Sequence, residues 1–192
     1  MSETNDTNET SGASDQRTPP PRSPPARPVA RTSTDKMVRP AVPASKSPRR
    51  RAREFALQGL YQWRVSGNDE AAIEAHLQDV SGFGKADRPF FIGLLRGVLA
   101  QREVLQEQLQ PSLDRPYADL SPIEACVLLA GAFEMVNYPQ TPYRVIINEA
   151  IELAKEYGGT DGHKYINGVL DKLANRLRPV EVEAKRRARA NP

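Results

Sequence analysis

Four arginines, Arg49, Arg50, Arg51 and Arg53, follow directly on Ser47-Pro48 and precede a long apolar-patterned stretch. A guanidinium carries a planar fork of donors that meets phosphate oxygens in pairs. Four of them on the first turns of a helix point to contact with a nucleic-acid backbone. The plainer alternative for any such run is a solvated charge cluster. The distribution of charge along the chain bears on the choice. The net charge is only +3. Residues 1–16 carry four acids and no base, residues 17–53 carry eleven bases against the single acid Asp35, and residues 54–180 carry twelve bases against seventeen acids. Positive charge is therefore concentrated just before and at the start of the folded part, as a polyanion gripped at one place requires.

A second candidate is the stretch from Gly158 to Gly168, which contains Gly159, Asp161, Gly162, His163, Lys164 and Tyr165. A glycine-rich turn opening a helix offers free amides to an anion. Lys164 adds charge, and Tyr165 and Tyr157 offer faces for bases, a mixture that suits single-stranded RNA. The structural alternative is an ordinary helical hairpin in which Asp161 is an N-cap and Tyr165 is half-buried. Tyr61 and Trp63 read first as core and rim packing, and His76 as a surface residue.

Enzymatic chemistry finds no foothold. Cys126 is the one cysteine and lies in the apolar run Ala125–Leu129, so a buried small hydrophobe is expected rather than a nucleophile. One cysteine and two separated histidines, His76 and His163, offer no metal-ligand spacing. There is neither a glycine-rich dinucleotide fingerprint after a strand nor a P-loop. No metal or cofactor is expected.

The elements that must hold these residues are helical throughout. The first is expected from Pro48 to about Val65, with Ser47 as N-cap and Gly67 as stop. A second should span Asp69 to Val80, and a third Asp87 to about Leu109. The fourth opens on Ser121-Pro122-Ile123-Glu124, a capping box with proline at its start, and runs to about Tyr138. The fifth starts at Thr141-Pro142, with Thr141 as cap, and ends at Gly158-Gly159. The sixth runs from near Asp161 to Arg178-Pro179. Glycines 59, 93, 97, 131 and 168 fall inside helices, where each costs about 1 kcal/mol against alanine, which points to close helix–helix approach. The expected fold is all-α, two three-helix subdomains joined through Pro111–Pro122 and packed on each other.

Nine of the seventeen prolines precede Arg49. Residues 1–46 therefore read as a disordered Pro-rich basic arm, 47–179 as the helical domain, and 180–192 as a basic tail in which Lys185, Arg186, Arg187 and Arg189 are solvated. No stretch approaches the ~18 apolar residues of a membrane span, and no apolar core follows the first charges as in a secretory signal. A cytoplasmic protein is expected.

Three blocks carry a family resemblance: Arg49-Arg50-Arg51-Ala52-Arg53-Glu54 with Leu60-Tyr61-Gln62-Trp63, then Pro142 to Lys155, then His163 to Asp171. Together they resemble the NusB transcription antitermination factors over about residues 48–179. The resemblance implies an all-helical domain without enzyme activity. It implies binding to the boxA element of nascent RNA, notably on ribosomal RNA operons, together with the small-subunit ribosomal protein NusE, and an indirect link to RNA polymerase. It further implies RNA contact by Arg49, Arg50, Arg51, Arg53 and the segment Asp161, Lys164, Tyr165, and a NusE-side role for Tyr61 and Glu124. Tyr165 stands where a phenylalanine is common and keeps a stacking face. Other readings stay open: a helical interaction module without RNA, or the related domain fused to ribosomal-RNA cytosine methyltransferases, which needs a Rossmann-type domain after residue 180. A DNA-binding helix-turn-helix fits poorly, because the sixth helix is apolar at Ile166, Val169, Leu170 and Leu173.

Overall fold

A computed structural model describes residues 46–190. Seven α-helices are present among them, with short 3-10 turns and no strand: α1 (Pro48–Ser66), α2 (Glu70–Gln78), α3 (Arg88–Leu109), α4 (Pro122–Asn137), α5 (Tyr143–Tyr157), α6 (Gly162–Leu177) and α7 (Pro179–Ala190). The expected arm lies almost wholly outside the described residues.

Local chemistry sets most boundaries. The Ser47 hydroxyl accepts from Arg50 N, and α1 stops at Gly67, whose φ of 65° turns its N–H back to Trp63 O. Asp69 and Asp87 cap α2 and α3. At α4 both arms of the capping box form: Ser121 Oγ accepts from Glu124 N at 3.3 Å, and Glu124 Oε2 accepts from Ser121 N at 3.2 Å.

Two expected caps are not made. Thr141 does not cap α5; its side chain is buried and its Oγ1 has no hydrogen-bond partner among the described residues. Pro142 stands at the cap, and the Tyr143 N–H donates instead to Glu181 Oε1, 3.0 Å away on α7. At Asp161 the backbone (φ −110°, ψ 1°) is not the extended conformation from which a side chain reaches forward, and its carboxylate pairs with Lys164 Nζ at 2.8 Å.

The largest correction is α7, where a solvated tail was expected. Pro179 is pre-set for a helical first turn. Val182 buries against the core and Glu181 ties down α5, while Lys185, Arg186 and Arg187 stay exposed. Arg178, in the preceding joint, works as a cap for α4. Its guanidinium donates to the carbonyl of Met135 (2.8 Å), one that a helix end otherwise leaves orphaned, and to those of Tyr138 (3.0 Å) and Thr141 (2.6 Å) in the following turn.

α4 is the central element. It is apolar nearly all round and packs on α1 and α3 to one side and on α5 and α6 to the other, so the two three-helix halves share one continuous core. Gly97 makes the α3–α4 approach possible, since a Cβ there would fall inside the Phe133 ring. Gly168, by contrast, faces open space and serves no close approach.

Candidate nucleic-acid interface

The four arginines of α1 occupy three kinds of environment, because successive residues of a helix point about 100° apart. Arg49 is half-exposed, 3.6 Å from Asp87 Oδ2 and stacked over the Phe90 ring at 5.1 Å. Arg51 makes no ion pair among the described residues and is partly exposed. These two present donors to solvent. Arg53 does not. It is 5% exposed and forms a fork-to-fork pair with Glu134 of α4, Nε to Oε1 at 2.8 Å and Nη2 to Oε2 at 2.7 Å, with Glu149 at 3.6 Å and the Phe90 ring beneath. The expectation that all four are exposed first-turn charges thus fails at Arg53, which points into the α1–α4 interface.

Arg50 lies between these extremes. Its guanidinium is within 3.3 Å of Glu54, 3.4 Å of Glu156 and 3.9 Å of Glu149. Lys46 Nζ sits 2.6 Å from Glu156 and 2.7 Å from Glu54. The hydrogen bond to Lys46, strengthened by the nearby cations, holds the Glu156 carboxyl below its usual range, and the same contact raises the Lys46 ammonium. Glu54 comes from α1, whereas Glu149 and Glu156 come from α5, one hundred residues on in the chain.

The surface continues along the α1–α5 seam. Beyond Glu156, Tyr157 and Tyr61 line a shallow concavity of about 420 Å³ with Leu57, Gln58, Gln62 and Ile123. Tyr61 is 39% exposed and so is not core. Ile123 leads to Glu124, whose carboxylate lies against the start of α6: a Cβ on Gly162 would stand 3.3 Å from its Oε1. Asp161 and Lys164 are exposed there. Tyr165 is partly buried. The Arg115 guanidinium covers one face of its ring at 4.9 Å, Asp114 pairs with Arg115 at 3.0 Å, and the phenol oxygen is buried without a hydrogen-bond partner among the described residues. Burial and the adjacent Asp114 raise the phenol pKa. The start of α1, Tyr61, the start of α4 and the start of α6 are therefore successive stations along one seam. Cations occupy one end, aromatic and amide groups the middle, and exposed charge the other end.

Residues 50–175 match the NusB family. The chain belongs to the NusB family. It is 65% identical over 144 residues to the transcription antitermination protein NusB of Dechloromonas aromatica (strain RCB), covering 75% of this chain and 88% of that protein. It is 54% identical over 155 residues to the protein of the same name from Ralstonia pickettii (strain 12J), covering 81% of this chain and 99% of that one. Its structure is similar to T. maritima NusB, with a TM-score of 0.62 and 26% identity over 72% of this chain and 99% of that chain. It also shares its fold with a chain from a complex of the antitermination factors NusB and NusE with dsRNA, with a TM-score of 0.59 and 18% identity over 66% of this chain and 96% of that chain. The seam lies within the matched family region except for its first residues, Lys46 and Arg49.

Several residues of the seam escape a reading of the sequence. Glu149, Glu156 and Arg115 are charged residues on or beside amphipathic elements, and nothing in their own neighbourhood announces a partner on another helix. Glu134 alone carried a signal, a lone acid inside the apolar run of α4, where an unpaired charge is costly.

Proposed function

We propose that this chain is a transcription antitermination factor that binds boxA-type single-stranded RNA of nascent transcripts, notably ribosomal RNA, jointly with the NusE-type ribosomal protein. The reading includes action in the cytoplasm without catalysis of a reaction. Membership of the NusB family carries it, supported by the partly exposed guanidiniums of Arg49 and Arg51 at one end of a continuous seam. Among the described residues no helix is long and apolar enough to cross a membrane.

In this reading Arg49, Arg50 and Arg51 contact phosphates, and Arg53 fixes the pitch of α1 through Glu134. Asp161, Lys164 and Tyr165 form the far end of the RNA path. Tyr61 and Glu124 face the protein partner, and the concavity beside Tyr61 suits an anchoring side chain. The engagement of Arg50 and Arg53 with carboxylates favours a second reading, a protein-interaction module without RNA.

Fluorescence anisotropy with a boxA oligonucleotide and a scrambled one, with and without the NusE-type protein, separates the two. The expected result is salt-dependent binding of boxA that tightens when the partner is present. Equal and weak binding of both oligonucleotides, unchanged by the partner, overturns the RNA reading.

A further inference from the structure

The carboxylates gathered at the arginine cluster are placed as competitors of RNA. A phosphate at Arg50 or Lys46 competes with Glu156, which lies 3.4 Å from one and 2.6 Å from the other, and with Glu54 and Glu149. Arg49 and Arg51 carry no such multiple screen. We propose that Glu156, backed by Glu54 and Glu149, keeps the sequence-independent affinity of this chain for RNA low by holding Arg50 and Lys46 in internal ion pairs. This rests on the RNA-binding function proposed above.

The physical basis is that sequence-independent binding comes almost entirely from cations neutralising phosphates with release of counterions. A cation already neutralised by a carboxylate of its own protein releases little and gains little. Glu156 is the member to test, because it is exposed, bridges both cations and comes from a different helix. Glu54 and Glu149 are more buried, and Glu149 also serves Arg53. Weak background affinity leaves discrimination to base contacts and to the protein partner. That matters for a factor that must ignore the bulk of cellular RNA.

The experiment uses the full chain and a scrambled oligonucleotide, with affinity measured across a salt series. Glu156→Gln should raise affinity several-fold at low salt, and steepen the log–log salt slope by ~0.7 for each cation released to a phosphate. Glu103→Gln makes the same charge change on a residue paired with Arg102, which packs over Trp63 toward the far end of α1. It should leave affinity near the wild-type value. In a Lys46→Ala/Arg50→Ala background, Glu156→Gln should give no gain.

Three results overturn the proposal: no gain from Glu156→Gln, an equal gain from Glu103→Gln, or a gain that persists without Lys46 and Arg50. Arg49→Ala/Arg51→Ala tells this failure from failure of the function itself. If that variant loses RNA affinity while Glu156→Gln gains none, the competitor role is wrong and the RNA function stands. If neither variant moves affinity, both are wrong.

Discussion

At the residue scale, the arginine cluster divides into Arg49 and Arg51, which face solvent, Arg50, which is paired at the surface, and Arg53, which holds the fold. Arg53 and Glu134 are both almost fully buried and joined by two short hydrogen bonds. Removing one partner leaves a buried charge unpaired, at a cost of about 3–5 kcal/mol. Arg53→Ala should therefore lower the urea unfolding midpoint strongly. Arg51→Ala should leave it unchanged and remove ~0.7 from the RNA salt slope. A quadruple alanine variant would confuse the two effects, so the residues have to be changed singly. Burial also pushes the Cys126 thiol and the Tyr117 phenol up, each to about 12, from ordinary values of 9.0 and 10.0. Both groups stay protonated in the native state while the unfolded chain ionises. The stability they contribute is complete below about pH 9 and is lost as pH rises toward 12. Urea midpoints should fall across that window, and a Cys126→Ala/Tyr117→Phe variant should show a shallower fall.

At the scale of elements, α7 closes a joint that α4 and α5 leave open. α4 ends without a glycine cap and α5 begins without a side-chain cap of its own. Arg178 and Glu181 supply both from the α6–α7 corner. Hydrogen bonds to a charged group contribute about 1.5–3 kcal/mol, so Arg178→Ala should be clearly destabilising. Glu181→Ala should cost about 1 kcal/mol, like the loss of an ordinary cap. Thermal melts rank the two, and equal melting of both variants with wild type would show that the corner is not stabilising. The elements also bring Tyr61 on α1 near the start of α4, through Ile123. Tyr61→Ala and Glu124→Gln should weaken binding of the NusE-type protein more than RNA binding by the isolated chain. Gln keeps the capping geometry of Glu124, so a folding defect does not obscure the result. Titration of each variant against partner and RNA separately tests the division.

At the scale of the whole molecule, the described residues form one core between the first helix and the last. Every buried apolar residue among those described lies between Ala52 and Val182. A chain starting at Lys46 should keep the full melting temperature and helical circular dichroism. It keeps the Lys46 ion pairs but loses six further bases between Arg17 and Arg39. Its association with RNA should slow, mostly at low salt, because long-range steering fades within about a Debye length. An unaltered association rate at low salt would remove the arm from the binding process.

Sequence alone determined the helical class, six of the seven helices among the described residues and, except at Gly168, the glycine-assisted packing, because periodicity, proline and capping residues are local signals that act within a turn or two. The Ser121–Glu124 box is the clearest case, with both arms formed as the residue types require. The same local rules failed at Thr141 and Asp161, where contacts with Glu181 and Lys164 took the place of the expected caps. α7 is not legible in the sequence because its charge run dominates its composition, while its anchors, Val182 and Glu181, are only two residues. The roles within the arginine cluster were decided by tertiary structure alone. Arg50, Arg51 and Arg53 have the same side chain, and what separates them is whether α4 and α5 bring Glu134, Glu149 and Glu156 within ion-pairing reach. Such pairings link positions about eighty to one hundred residues apart, and their strength depends on distance and burial, neither of which exists until the helices pack.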